Sequence, residues 1–162
     1  MEVVDGTTTV DDVGAFVAEL EGIGDTYGAT IQAFDARYVV DRAHVERAVE
    51  LATRARDRGE GIAEDFGVEI LLYAAGRRQI NQALEMGLSD GDCPVVAVVV
   101  GGDEAAAAAA LGDLLDPGET LGEYDRDRVR SFFDVTDTEL AATEGTIADA
   151  VHERVALLPV EK

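Results

Sequence analysis

The sequence predicts a single α/β domain over residues 1–162, in which a small mixed sheet with at least one parallel strand pair packs against several helices. Three observations support this prediction. The chain of 162 residues is long enough to bury one core without disulfide or metal support. Its 47 % share of hydrophobic residues is typical of globular domains. Aliphatic runs typical of strands alternate with segments of helical periodicity, and that order favours a parallel pair. No Pro/Ser-rich linker or internal repeat interrupts them, which favours a single domain.

The first elements are a short strand and a helix. Residues 2–4 predict a short edge strand. Residues 11–20 place apolar side chains at helical spacing, and Gly22 and Gly24 follow as predicted stop signals. The first helix is therefore expected to have about three turns.

A half-buried strand and the longest helix come next. Residues 29–35 alternate between apolar and polar side chains, which predicts the strand. Asp41 can accept hydrogen bonds from the free amides of a helical first turn, and Gly59 and Gly61 mark the end of that helix. One apolar stripe along it consists of Val45, Ala48, Val49, Ala52 and Ala55.

The middle of the chain predicts strand, tight turn and helix in direct succession. Residues 68–75 are short and rich in aliphatic side chains, which predicts a strand buried on both faces. Gly76 breaks that run, and helical spacing resumes at Ile80 and continues to Gly87. A further strand over residues 95–100 completes the predicted parallel arrangement.

The last third is predicted to be helical. A helix begins near Asp103, and Thr136 with Glu139 has the form of a capping box. Residues 147–158 form a final amphipathic helix that ends at Pro159.

The charge of the chain is strongly negative. Thirteen basic against 34 acidic side chains give a net charge of −21, and Lys162 is the one lysine beside twelve arginines. This balance is typical of proteins that stay soluble in molar intracellular salt, so the sequence predicts a halophilic source. An acidic face for a basic partner is the alternative, but the carboxylates are spread from Glu2 to Glu161. Any RNA contact would depend on hydrogen bonds, stacking and a few well-placed arginines.

Residues suited to a self-contained active site are scarce. Cys93 is the single cysteine, which excludes an intrachain disulfide and a thiolate zinc site, and His44 and His152 lie far apart in predicted helices. No phosphate loop, dinucleotide motif or complete calcium loop occurs. We therefore expect a chain that is not an enzyme and that has no metal or cofactor. The absence of a secretory signal and of a membrane-spanning segment predicts a cytoplasmic location.

One basic motif stands out, namely Gly76, Arg77, Arg78 and Gln79. At a predicted strand-to-helix turn, free amides and the positive end of the helix dipole would favour an anion. Guanidinium groups grip phosphates and stack on bases, and an amide can bind a base edge or a ribose. The alternative is an arginine pair in salt bridges with neighbouring carboxylates.

A second basic group consists of Arg54, Arg56 and Arg58 at the end of the long helix. Cations there offset the helix dipole, so a structural explanation is sufficient for them.

The sequence resembles a known family around this motif. Residues 69–84, Glu-Ile-Leu-Leu-Tyr-Ala-Ala-Gly-Arg-Arg-Gln-Ile-Asn-Gln-Ala-Leu, followed by Gly87, resemble the signature of the kinase-binding, tRNA-recruiting accessory subunit of the archaeal KEOPS complex. Residues 44–48 followed by Gly59 are similar to the first long helix of that family, and residues 153–158 to its C-terminal helix.

The resemblance implies a non-catalytic subunit of the machinery that adds threonylcarbamoyl to adenosine in tRNA. Such a subunit binds and helps to activate the small atypical kinase/ATPase of the complex, and it holds the tRNA at its single-stranded 3′ CCA end. On this basis Arg77 and Arg78 are expected to contact backbone or ribose, Gln79 to make a polar contact, and Gly76 to allow close approach. Ile80 and Ala83 are expected to support the helix from the core side.

Two alternatives from other classes stay open. The turn at residues 76–79 would also suit a sensor domain that holds the phosphate of a nucleotide. A free-standing enzyme with a carboxylate acid/base pair is the third hypothesis.

Overall fold

The computed structural model describes residues 1–142 and 145–161 and contains a three-stranded sheet. Its strands are β1 (Glu2–Val10), β2 (Thr30–Asp35) and β3 (Gly91–Val100). β3 lies in the centre and pairs antiparallel with β1 on one side and β2 on the other. The predicted edge position of the first strand is confirmed, and the predicted parallel pair is wrong.

Eight α-helices accompany the sheet in the described ranges. They are α1 (Val13–Tyr27), α2 (Arg42–Asp57), α3 (Phe66–Ala75), α4 (Ile80–Ala83), α5 (Glu104–Leu114), α6 (Arg126–Phe132), α7 (Asp137–Ala142) and α8 (Ile147–Glu161). Short 3₁₀ turns follow β2 at Ala36–Tyr38 and α4 at Leu84–Met86.

The parallel pair is missing because residues 68–75, predicted as a strand, belong to helix α3. Oδ1 of Asp65 caps that helix by accepting a hydrogen bond from the amide of Val68 at 2.9 Å. The helix contacts β2, α2 and α8, and its residues from Glu69 to Ala75 are all buried. A helix enclosed in this way has no polar stripe, so its sequence does not show the amphipathic period.

Other helix boundaries follow the capping residues more closely than the glycines and prolines. The side chains of Asp41 and Asp103 accept hydrogen bonds from the third residue of α2 and α5, as their positions in the sequence predict. Helix α1, however, continues through Gly22 and Gly24 and ends at Gly28, whose φ is 67°. Helix α8 likewise continues past Pro159 to Glu161.

The sheet separates two apolar clusters. Alternate residues of β3 point to opposite faces, so Val95, Ala97 and Val99 join the cluster beneath α1 and α5. Val96 and Val98 join the larger cluster formed with α2, α3, α6 and α8. The apolar stripe of the final helix is buried there too, in contact with α2, α3 and α6. The basic motif, at the end of α3, therefore lies on the side of the sheet that carries α2, α3, α6 and α8.

Candidate functional site: an arginine-bearing groove beside helix α8

The motif at residues 76–79 connects two helices and not a strand to a helix. Gly76 has a φ of 62°, and the amides of Gly76 and Arg77 donate to the carbonyls of Tyr73 and Leu72 at 3.1 and 3.0 Å. This pair of hydrogen bonds is the Schellman arrangement that closes a helix with a left-handed residue. The glycine is required because other residues adopt this conformation at a cost.

Gly76 also lies against helix α8. A Cβ built at Gly76 would be 3.4 Å from the carbonyl oxygen of Arg154 and 3.5 Å from its Cβ. The close approach predicted for Gly76 is therefore made to the backbone of the protein itself.

The electrostatics of the turn differ from the prediction. The arginines follow the C-terminal end of α3, where the negative end of the helix dipole favours cations and not anions. Helix α4 has four residues and no side-chain cap, so it supplies no helix-dipole site for a phosphate. Any anion bound here must be held by side chains.

Arg77 points into the protein. Its Nη2 donates to the carbonyl of Phe132 at the end of α6, and it lies 3.8 Å from a carboxylate oxygen of Asp134. Its guanidinium carbon lies 5.2 Å from the ring centroid of Phe132, and 31 % of the side chain is exposed. These contacts resemble the salt-bridged alternative more than a free phosphate ligand, since they hold the α3–α4 turn to the end of α6.

Arg154 binds the same end of α6. Its Nε and Nη2 donate to the carbonyls of Phe133 and Asp134 at 2.8 and 3.1 Å. Both carboxylate oxygens of Glu139 accept hydrogen bonds from the guanidinium, at 2.6 and 2.7 Å. This pairing lowers the pKa of Glu139 and raises the pKa of Arg154. Sequence reasoning missed this role, because no local pattern links residue 154 to the end of a helix twenty residues earlier.

Arg78 and Gln79 remain on the surface. Both are exposed, and Arg78 lines an open groove of about 610 Å³ whose other walls come from the loop after α2 and from α8. The remaining lining residues are Glu60, Gly61, Ile62 and Pro159. The structure thus separates the two arginines and leaves Arg78 at the groove, with the exposed Gln79 next to it in the chain.

The two expected supporting residues also differ from each other. Ala83 is fully buried, whereas Ile80 is 48 % exposed. The prediction that Ile80 faces the core is wrong, because the short helix α4 turns only Ala83 inward. An exposed isoleucine next to Gln79 adds apolar surface to the candidate site.

A buried carboxylate shapes one wall of the groove. Glu69 is 2 % exposed, and its two oxygens accept hydrogen bonds from the amides of Ile62 and Ala63 at 2.6 to 2.9 Å. These bonds hold the loop after α2 against α3. A single glutamate inside an apolar run is the sequence signal for such a role.

The second basic group is mostly engaged in local contacts. Arg54 pairs with Glu50 at 2.8 Å, and the guanidinium of Arg56 lies 4.9 Å from the ring centroid of Phe66. Arg58 is exposed two residues before Glu60, a residue of the groove.

Both histidines contact other residues of the protein. His44 is completely buried, where its Nδ1 accepts from the amide of Val40 and its Nε2 donates to the carbonyl of Ala74 at 2.7 Å. Burial lowers the pKa of His44 to about 4, so the ring is neutral at pH 7. His152 lies 2.9 Å from Oδ1 of Asp41, the carboxylate that caps α2.

Within residues 1–142 and 145–161, no cluster of His, Cys, Asp and Glu side chains could hold a metal ion. Cys93 is buried in β3. No helix in the described part of the chain is long and apolar enough to cross a bilayer.

Fold and site together define a small α/β protein with an arginine-bearing surface groove between a helix and a loop. A comparison with family models matches residues 20–158 to the family described as kinase binding protein CGI-121. Since this match covers most of the chain, the protein belongs to the CGI-121 family. A comparison with curated proteins finds no match.

Proposed function

We propose that this protein is a non-catalytic, kinase-binding subunit of the KEOPS complex that recruits tRNA through its 3′ CCA end. Membership of the CGI-121 family supports the kinase partner, because that family is described as kinase binding. The observation that carries the RNA proposal is the exposure of Arg78 and Gln79 beside an open groove. Neither task requires catalytic groups.

The exposed side chains at the groove and next to it suit a single-stranded RNA end. Arg78 supplies a planar guanidinium that can hold a phosphate by two hydrogen bonds or stack on a base. The Gln79 amide can bind a base edge or a ribose, and the exposed Ile80 offers apolar surface to an unstacked base. All three contacts act at short range, so they persist in concentrated salt that screens longer-range attraction.

Binding of tRNA with and without its 3′ CCA, measured with the full chain in molar KCl, tests the RNA part. We expect clear preference for the intact 3′ end and a loss of roughly five- to tenfold in Arg78→Ala, since one hydrogen bond at an exposed site contributes about 1–1.5 kcal/mol. Arg47→Ala is the control, because Arg47 is a partly exposed arginine paired with Glu50 on α2. Equal binding of both tRNAs would reject recognition of the 3′ end, and tight binding of a mononucleotide without tRNA binding would support the sensor hypothesis instead.

Copurification with the small atypical kinase tests the other part independently. We expect a stable complex of the two purified chains and increased ATPase activity of the kinase in that complex. A chain that binds tRNA but not the kinase would contradict the proposed place in the complex.

A further inference from the structure

The two edges of the sheet are protected very differently. The outer edge of β1 is covered, because Thr7 and Asp116 exchange backbone hydrogen bonds of 2.9 and 2.8 Å. The Asp5 carboxylate also accepts hydrogen bonds from the amides of Thr120 and Leu121 at 3.0 and 3.1 Å. A bridge and a loop therefore protect this edge from pairing with another strand.

The outer edge of β2 has no such cover. In the described part of the chain no strand or bridge pairs with it, so alternate backbone amides and carbonyls face outward. Thr30, Ile31 and Gln32 are partly exposed, whereas Ala33, Phe34 and Asp35 are buried, so the accessible part of this edge is its first half. The side-chain amide of Gln32 donates to the carbonyl of Ala33 at 3.0 Å, and this flexible group can be displaced by a backbone donor.

An apolar groove follows this open edge. It has a volume of about 310 Å³ and lies between α1, β2 and the start of α3. Helix α3 approaches β2 closely, since a Cβ at Gly67 would lie 3.1 Å from Oε1 of Gln32. Two of the apolar residues lining the groove, Val17 and Leu84, are 38 % and 57 % exposed. The others that matter here are Leu20, Ile31, Val68 and Leu71.

The charge at the rim selects the occupant. Glu21 and Asp25 are exposed one helical turn apart on α1 and line the groove, and neither takes part in a hydrogen bond or ion pair within the described residues. Among the residues that the structure describes, no arginine or lysine lines the groove. A cationic residue of a partner would meet two uncompensated carboxylates, whereas a second copy of this chain would bring the same carboxylates into repulsion.

We propose that β2 is a docking edge for an extended segment of a partner protein, in which apolar residues alternate with polar ones and an arginine or lysine reaches Glu21 and Asp25. The segment adds a strand to β2 through backbone hydrogen bonds, while its apolar side chains enter the groove. This surface is built from different residues than the Arg78 groove, so the proposal does not depend on RNA binding.

A matched pair of peptides tests this proposal on the full-length protein. Each has alternating valine and threonine, with arginine at both ends in one peptide and glutamate at both ends in the other. The readout is the amide chemical shift and hydrogen exchange of residues 30–35, in the lowest KCl concentration at which the chain is folded. We expect the arginine peptide to shift and protect these amides, and the glutamate peptide to bind at least several-fold more weakly.

Surface variants locate the effect. Val17→Gln and Leu84→Gln should each weaken binding of the arginine peptide, by roughly tenfold when combined. Leu157→Gln, at an exposed position of α8, should leave this binding unchanged. Glu21→Gln combined with Asp25→Asn should abolish the preference for arginine, with Glu19→Gln as the control on α1.

Three results would overturn the proposal. One is the absence of any change at residues 30–35 with 1 mM arginine peptide, which would place the Kd above about 1 mM. Another is binding that the groove variants leave unchanged. The third is a concentration-dependent dimer that Val17→Gln dissociates, because it would assign this edge to a second copy.

Discussion

Arg77 and Arg78 are adjacent in sequence and differ in their exposure. Arg77 reaches the carbonyl of Phe132 and the carboxylate of Asp134, so it stabilises the junction between the α3–α4 turn and α6. Arg78 is exposed at the groove. A guanidinium bound to carbonyls at a helix end contributes to stability, and one at an open groove is positioned to bind a ligand.

This difference predicts separable mutant effects. Arg77→Ala should lower the free energy of unfolding by about 1.5–3 kcal/mol, because it removes a charge-assisted hydrogen bond from a partly buried junction. Arg78→Ala should change it by less than about 0.5 kcal/mol, as is usual for exposed positions. Urea titrations in molar KCl measure both values, and equal destabilisation by the two variants would contradict the division of roles.

His44 predicts a pH dependence of stability. Its pKa is about 4 in the folded protein, against 6.5 for an exposed histidine, so between these values the unfolded chain binds more protons. The contribution of neutral His44 is complete above pH 6.5 and is lost as the pH falls towards 4, with a total on the order of 3 kcal/mol. Urea titrations from pH 7 to 4 should therefore show a weaker pH dependence for His44→Gln than for the original chain. Parallel curves would refute this assignment.

Helix α3 shows how burial conceals a helix at the scale of the element. Its apolar run has the length and aliphatic content of a buried strand, and its enclosure by β2, α2 and α8 removes the polar face that would reveal a period of 3.6. The residues that define it are local, since Asp65 caps its start and Gly76 its end. Caps identify a fully buried helix better than periodicity does.

The Asp65 cap can be measured directly. Asp65→Ala should cost about 1 kcal/mol of unfolding free energy, because the amide of Val68 loses its hydrogen-bond acceptor. Asp11→Ala removes an exposed carboxylate one position before the capping residue of α1 and should have little effect. The two variants carry the same change in charge, so a similar loss in both would contradict the capping role.

At the scale of the whole molecule, the net charge of −21 dominates the electrostatics. Repulsion among carboxylates opposes the compact state, and salt shortens the screening length from about 10 Å at 0.1 M to about 3 Å at 1 M. The few exposed ion pairs, such as Arg42 with Glu46, weaken over the same range but contribute little.

Stability should therefore rise with KCl. Between 0.2 and 2 M KCl we expect a gain of at least about 1 kcal/mol, or about 2–4 °C in Tm. The combined variant Glu19→Gln, Glu21→Gln and Asp25→Asn, which removes three exposed charges from α1, should need less salt for the same Tm. A Tm that falls with KCl would contradict the inferred adaptation to salt.

The sequence predicted those features that depend on local chemistry. The Asp41 cap, the apolar stripe of α2 and the course of β3 follow from neighbouring residues, and the structure confirms them. The antiparallel pairing of the strands, the contact of Arg77 with the end of α6 and the exposure of Ile80 depend on which elements pack together. Local patterns in a single sequence do not give that information. Part of the candidate site was therefore predicted by residue type, while its division between structural and exposed residues needed the fold.

A thermodynamic cycle tests the central claim most directly, with Arg78→Ala as one change and removal of the tRNA 3′ CCA as the other. If Arg78 contacts the 3′ end, the substitution should weaken binding of intact tRNA by roughly five- to tenfold and leave binding of the truncated tRNA unchanged. The same loss for both tRNAs would show that Arg78 acts elsewhere on the RNA, and no loss for either would contradict the proposed site.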